Sequence, residues 1–126
     1  MSAVLYSPHA SAMDNEELYR QGFELRCSGS YAEARQFLAR VLASDPMHVG
    51  ARHQIALIEG FEGDFDGSLA SLDALSRQHP ENLDVRYDLA MTQMMLGDYE
   101  TACANLKRIL AVSPGHDKAA QQVIYC

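Results

Sequence analysis

The chain has 126 residues, a length that favours one domain with its own hydrophobic core. Apolar residues make up 48% of it and charged residues 21%, a composition that excludes a disordered or collagen-like chain. The formal charge is -7, from 17 acidic residues against 10 lysines and arginines, so we expect no binding to the phosphate backbone of nucleic acids.

The first segment, residues 1–14, has neither a basic leader nor a continuous apolar stretch, so we predict a flexible segment and no signal peptide. No later run approaches the roughly 18 apolar residues that indicate a membrane span. Cys27, Cys103 and Cys126 are odd in number and widely spaced. We therefore expect neither a disulfide framework nor a zinc site, and a reducing cytoplasm is the location that this pattern favours.

Residues 15–116 contain three copies of a 34-residue pattern, over residues 15–48, 49–82 and 83–116. The repetition involves several residue types at once, which chance does not easily produce. The positions that recur at this interval include the prolines Pro46, Pro80 and Pro114, the glycines Gly29, Gly63 and Gly97, the aromatic residues Tyr31, Phe65 and Tyr99, and the leucines Leu38, Leu72 and Leu106.

Each copy is predicted to form two helices, because its apolar residues recur at steps of three and four. The repeated glycine ends the first helix, where a left-handed backbone suits a residue without a Cβ. Ser30, Asp64 and Asp98 follow the glycines and can cap the second helices, and Ser30 with Glu33 has the spacing of a capping box. The proline that closes each copy cannot continue the helix.

Residues 117–126 match the start of another first helix, which we expect to act as a short cap on the last copy. Since this helix is short, some apolar surface should remain at this end. Such a surface would invite self-association or a further segment of chain.

The spacing and the residue types together resemble the tetratricopeptide repeat family. The resemblance covers Asn15 to His116 and rests further on small residues where two helices approach closely, namely Gly22, Ala56 and Ala90 in the first helices and Ala34, Ser68 and Ala102 in the second. It implies an all-α fold, a right-handed α-solenoid of three helical hairpins. Pentatricopeptide repeats, which read RNA, remain a rival, but an acidic chain fits them poorly.

The chain departs from the family pattern midway along each first helix, where an aromatic residue is expected. Leu25, Glu59 and Gln93 stand there instead. We therefore predict wetter packing between helices in the second and third copies.

The resemblance also implies that the first helices line a concave groove. The residues in the groove phase are mostly apolar: Tyr19, Phe23, Arg26, Cys27, His53, Leu57, Phe61, Tyr87, Met91, Met94 and Met95. An exposed apolar strip of this kind usually marks a binding site, and methionine adapts to several partner sequences. Alternatively, the stripe is part of the hydrophobic core. Met94 and Met95 are the residues most favoured for binding.

The clamp by which some family members hold acidic carboxyl tails does not match, because Asp84 and Asp88 stand where cations are needed. With Glu16 they would instead prefer an apolar peptide with a basic flank. We find no catalytic spacing and expect no cofactor or metal, and the scattered histidines are interpreted as solvated. Three hypotheses follow: a peptide-binding adaptor or chaperone, a module that assembles with itself, for example as a homodimer, and a regulatory part of a larger enzyme.

Overall fold

The computed structural model describes residues 13–126, so the segment expected to be flexible, residues 1–14, lies almost entirely outside the described residues. Within the described range all regular structure is helical. The helices are α1 (Asn15–Cys27), α2 (Tyr31–Ser44), α3 (Val49–Phe61), α4 (Phe65–Gln78), α5 (Leu83–Met95), α6 (Tyr99–Val112) and α7 (Asp117–Val123). The all-α fold class is confirmed.

The contacts divide the chain into two compact units, and the division falls inside α3. Unit 1 ends at Ile55, and unit 2 comprises Ala56–Cys126. In unit 1, α1 packs on α2. In unit 2, α4 packs on α5, α5 on α6 and α6 on α7.

The glycines after the first helices have the left-handed backbone that the sequence predicts. Their φ angles are 87° at Gly29, 100° at Gly63 and 86° at Gly97. At the end of α1, the amides of Gly29 and Ser30 donate to the carbonyls of the last helical turn, at 3.1 and 2.9 Å. The glycine thus satisfies helix-end carbonyls while it reverses the chain.

The predicted side-chain caps of the second helices are present in the second and third copies but not in the first. The carboxylate of Asp64 accepts from the amide of Gly67 at 2.9 Å, and that of Asp98 accepts from the amide of Thr101. Ser30 makes no side-chain cap, so the predicted capping box is wrong. The backbone angles at Ser30 and Asp64 are nearly the same, so the difference lies in the side chain.

Small residues allow close helix packing in both units. Gly22 of α1 is buried against Leu38 of α2, and Ala34 and Leu38 are fully buried. In unit 2 the core cluster is formed by Ala90, Ala102, Leu106, Ile109 and Ala119. Because Ala119 belongs to α7, this short helix covers the end of the α5–α6 pair as expected.

Two of the three cysteines are paired, which contradicts the expectation from their spacing. Cys103 in α6 and Cys126 form a disulfide with an S–S distance of 2.07 Å and a Cα–Cα distance of 5.8 Å. The sequence did not indicate it because the two residues meet only when α7 folds back on α6. Cys27 is free and exposed. The cytoplasmic location stays a prediction, and its argument from unpaired cysteines no longer holds.

The surface near the C-terminus is partly apolar. Val112, Ile124 and Tyr125 are between 73% and 76% exposed. None of the helices between residues 13 and 126 is long and apolar enough to cross a membrane.

Candidate functional site

In unit 1, the predicted groove residues of α1 form one continuous face. Tyr19 and Phe23 are four residues apart, with ring centroids separated by 6.1 Å. The guanidinium of Arg26 lies 5.2 Å from the centroid of the Phe23 ring, a cation–π arrangement. Phe23 is partly exposed and Cys27 is exposed. This helix face therefore combines an aromatic surface with one positive charge.

Other predicted residues of unit 1 are used in internal packing. Tyr19 is half-buried, and its ring touches Gly50 and lies 5.1 Å from the His48 ring. Burial raises the pKa of Tyr19, and a hydrogen bond with Gln54 opposes this rise. Arg26 donates from Nε to the side-chain oxygen of Gln54 at 2.7 Å. His53 is buried, so it offers little surface to a ligand.

In unit 2, a set of apolar side chains, most of them exposed, meets at the end of α3, the start of α4 and the end of α5. We call Leu57, Phe61, Phe65 and Met95 the apolar patch. They line a shallow pocket of about 70 Å³ together with Gly60, Ser68 and Thr92. Phe61 is 56% exposed and Met95 is 66% exposed.

Phe65 is a member of the apolar patch that sequence reasoning did not assign to the site. The sequence identifies it only as the repeated aromatic residue after the turn. Because α4 begins at Phe65, the turn after Phe61 brings this ring to the same pocket. The recurrence of an aromatic residue at this position in each copy is the sequence signal that could have assigned Phe65 to the site.

The remaining predicted residues, Tyr87, Met91 and Met94, lie between core and surface. All three are partly buried and pack against the core cluster of unit 2. Lys118 of α7 lies 5.8 Å from the Tyr87 ring. Burial, reinforced by the charge of Asp88, raises the pKa of Tyr87. For these side chains the alternative of core packing therefore applies in part, whereas Met95 next to them is exposed.

A second, polar pocket lies in unit 2 between α4, α5 and α6. Its volume is about 530 Å³, and it is lined by Asp73, Ser76, Arg77, Pro80, Arg86, Leu89, Gln93, Thr101, Asn105 and Arg108. Arg86 Nη1 donates to Asn105 Oδ1 at 3.0 Å, and Asn105 Nδ2 donates to Gln93 Oε1 at 2.9 Å. These three side chains are buried.

This polar network is the wetter packing that the missing aromatic residues predict. Gln93 occupies the repeat position of the expected aromatic ring in the third copy. In the second copy, Glu59 stands at that position and accepts from Ser71 at 3.2 Å. The sequence thus indicated polar packing, but it did not indicate a pocket.

Two of the histidines, His48 and His116, have structural roles. The Nδ1 atoms of His48 and His116 accept from the amides of Ala51 and Ala119, at 3.0 and 3.1 Å. Both residues therefore cap the helices that follow them, which the interpretation as solvated side chains missed. Within residues 13–126, no group of three or more His, Cys, Asp or Glu side chains could hold a metal ion.

Comparison with known proteins agrees with this architecture. A family model described as tetratricopeptide repeat matches residues 62–124. Comparison with curated protein sequences gave no significant match. Similar solved structures include MamA from Desulfovibrio magneticus RS-1, with a TM-score of 0.74 and 21% identity over 92% of this chain and 66% of that one. YrrB, described as a TPR protein with an unusual peptide-binding site, has a TM-score of 0.73 and 23% identity over 89% of this chain and 58% of its own.

A further MamA structure has a TM-score of 0.68 and 22% identity to this chain. The matched region comprises 96% of this chain and 65% of the MamA chain. The chain thus spans slightly less than two thirds of this relative. At these identities the likeness shows the fold. Because the family model spans half of the sequence and the helices follow its 34-residue interval, the chain belongs to the tetratricopeptide repeat family.

Proposed function

We propose that this chain binds an apolar segment of a partner protein, and that the apolar patch of unit 2 is the main contact. Tetratricopeptide repeats form protein–protein interaction scaffolds, and membership of this family supports the general role. The observation that carries the specific proposal is the exposure of Phe61 and Met95 beside one shallow pocket. Clustered apolar side chains of this kind commonly mark an interaction site.

The chemistry of the apolar patch favours an apolar peptide with some freedom of sequence. Two aromatic rings supply large contact areas, and the flexible thioether of Met95 can adjust to different side chains. Glu62 and Asp64 lie in the turn after Phe61, Asp66 lies in the first turn of α4, and all three are exposed. These three carboxylates favour a basic residue beside the apolar segment.

The face of α1 in unit 1 offers a second surface for the same kind of ligand. Phe23 and Cys27 are its exposed members, with Arg26 stacked on the Phe23 ring. YrrB, a protein of similar fold, is described as having an unusual peptide-binding site. We propose the same class of ligand here, and no cofactor or metal is needed for it.

The proposal is tested by selecting peptides that bind the protein from a random library and measuring their affinities for variants. Met95→Arg should weaken binding at least about 30-fold, since loss of an anchor residue costs about 2 kcal/mol or more. Circular dichroism should show unchanged helix content, because the Met95 side chain is 66% exposed.

The matched control is Met47→Arg, which places the same charge on another exposed methionine outside the patch. Its peptide affinity should equal that of the unchanged protein. Equal affinities for both variants, or a library that yields no binding peptide, would contradict the proposal. If light scattering instead shows dimers that Met95→Arg dissociates, a second copy of the chain occupies the patch.

A further inference from the structure

The polar pocket of unit 2, which we call the arginine pocket, holds three guanidinium groups. Arg77 on α4 is paired, because its Nε donates to Asp73 Oδ2 at 2.9 Å. Arg86 on α5 and Arg108 on α6 make no ion pair with any residue of the described part of the chain. The arginine pocket therefore contains two positive charges that carboxylates do not neutralise.

Arg86 is the unusual member, because its side chain is both charged and only 9% exposed. Its Nη1 donates to the neutral Asn105, and its Nη2 makes a long contact of 3.5 Å to the carbonyl of Pro80. Burial, and then the charge of Arg108, lower the pKa of its guanidinium. A buried charge normally requires a partner of opposite charge, since desolvation is otherwise not offset.

The three copies differ in charge at the repeat positions of Arg86 and Gln93. The repeat positions of Arg86 and Gln93 hold Arg52 and Glu59 in the second copy, so that copy carries one charge of each sign there. The first copy holds Leu18 and Leu25 and carries no charge. In the third copy alone, an arginine is present without a carboxylate at the repeat position of Glu59.

We propose that the arginine pocket binds an oxyanion, the phosphate or carboxylate group of a small ligand, between Arg86 and Arg108. Guanidinium groups match the geometry of both anions and form charge-assisted hydrogen bonds with them. The hydroxyls of Ser76 and Thr101, which also line the pocket, can donate further hydrogen bonds. A volume of about 530 Å³ holds a small organic acid or phosphate ester.

This site is distinct from the apolar patch. Arg86, Leu89 and Gln93 follow one another at steps of three and four, so they share one face of α5. Met91 and Met95 are spaced on another face of the same helix. Anion binding can therefore succeed or fail independently of peptide binding.

The test is a titration with inorganic phosphate and, separately, with succinate, at constant ionic strength set with sodium chloride. Calorimetry and backbone amide NMR should show saturable binding with shifts around Arg86, Gln93 and Asn105. Arg108→Gln should weaken binding at least about tenfold, because one charge-assisted hydrogen bond is lost. Its exposed side chain makes a folding defect unexpected.

Arg40→Gln is the matched control, because Arg40 is exposed and occupies in the first copy the repeat position of Arg108. It should leave binding unchanged. Gln93→Glu should abolish binding, since it supplies the third copy with the carboxylate that the second copy has. Its fold can be checked by circular dichroism, and if it does not fold, the comparison of Arg108→Gln with Arg40→Gln decides.

Binding of either anion with these variant effects supports the proposal, and the tighter of the two identifies the preferred group. An absence of saturable binding would overturn it. So would equal weakening by Arg108→Gln and Arg40→Gln, which would indicate a general effect of charge, or retained binding by a folded Gln93→Glu variant.

Discussion

Gly22 of α1 lies so close to Leu38 of α2 that no larger residue fits between the two helices. A Cβ atom at position 22 would be 2.7 Å from Cγ and Cδ2 of Leu38. Leu38 is fully buried and cannot move without disturbing the core of unit 1. Gly22→Ala should therefore lower the free energy of unfolding by about 1–3 kcal/mol, although alanine favours a helix by about 1 kcal/mol. Urea denaturation measures this change.

Gly115→Ala is the control for this substitution. No atom lies within 4 Å of a Cβ at position 115, so the free energy of unfolding should change by less than about 0.5 kcal/mol. A Gly22→Ala variant as stable as the unchanged protein would mean that α1 and α2 do not pack this closely.

At the same scale, neighbouring residues show where the sequence stops being informative about the site. Met94 and Met95 were favoured equally, yet Met94 packs on the core cluster and Met95 is 66% exposed. Adjacent side chains on a helix point about 100° apart, so a one-residue difference separates core from surface. The helical period predicts which residues share one face of the helix. Only the packing of neighbouring helices determines which residues at the border of that face are exposed.

At the level of the helix, capping by the residue after each turn glycine differs between the copies. Asp64 caps α4 through a 2.9 Å bond to the amide of Gly67, whereas Ser30 makes no such bond at the start of α2. Asp64→Ala should therefore lower the free energy of unfolding by about 1 kcal/mol. Ser30→Ala should change it by less than about 0.5 kcal/mol, as measured by urea denaturation. Similar losses in the two variants would show that Ser30 also caps its helix.

Helix positions and turn conformations could be predicted from the sequence because local chemistry determines them. The repeat interval predicts two helices in each copy, and the positive φ angles at Gly29, Gly63 and Gly97 follow from the turn. The helix caps formed by His48 and His116 were missed, since histidine is not a usual capping residue. The arginine pocket was missed because it needs three helices to be placed together, although Gln93 indicated polar packing there.

At the level of the whole chain, the disulfide is the feature that sequence reasoning predicted wrongly. The number and spacing of the cysteines give only their distances along the sequence, and Cys103 and Cys126 are separated by 23 positions. The folded chain returns along α6 through the seven-residue helix α7 and brings the two together. Long-range pairing of this kind has no local signal, so three cysteines were consistent with three free thiols.

The disulfide is expected to hold α7 in place. A helix of seven residues is too short to be stable alone, and α7 buries only Ala119 among its residues. Closing a loop across 23 positions should add about 3 kcal/mol to the free energy of unfolding by limiting the unfolded chain.

Cys103→Ser should therefore lower the stability of unit 2 by up to about this amount and speed amide hydrogen exchange in α7. Cys27→Ser, which removes the free and exposed thiol, should do neither. Thiol titration of the protein unfolded without reductant should detect one reactive group, and detection of three would mean that Cys103 and Cys126 are not bonded.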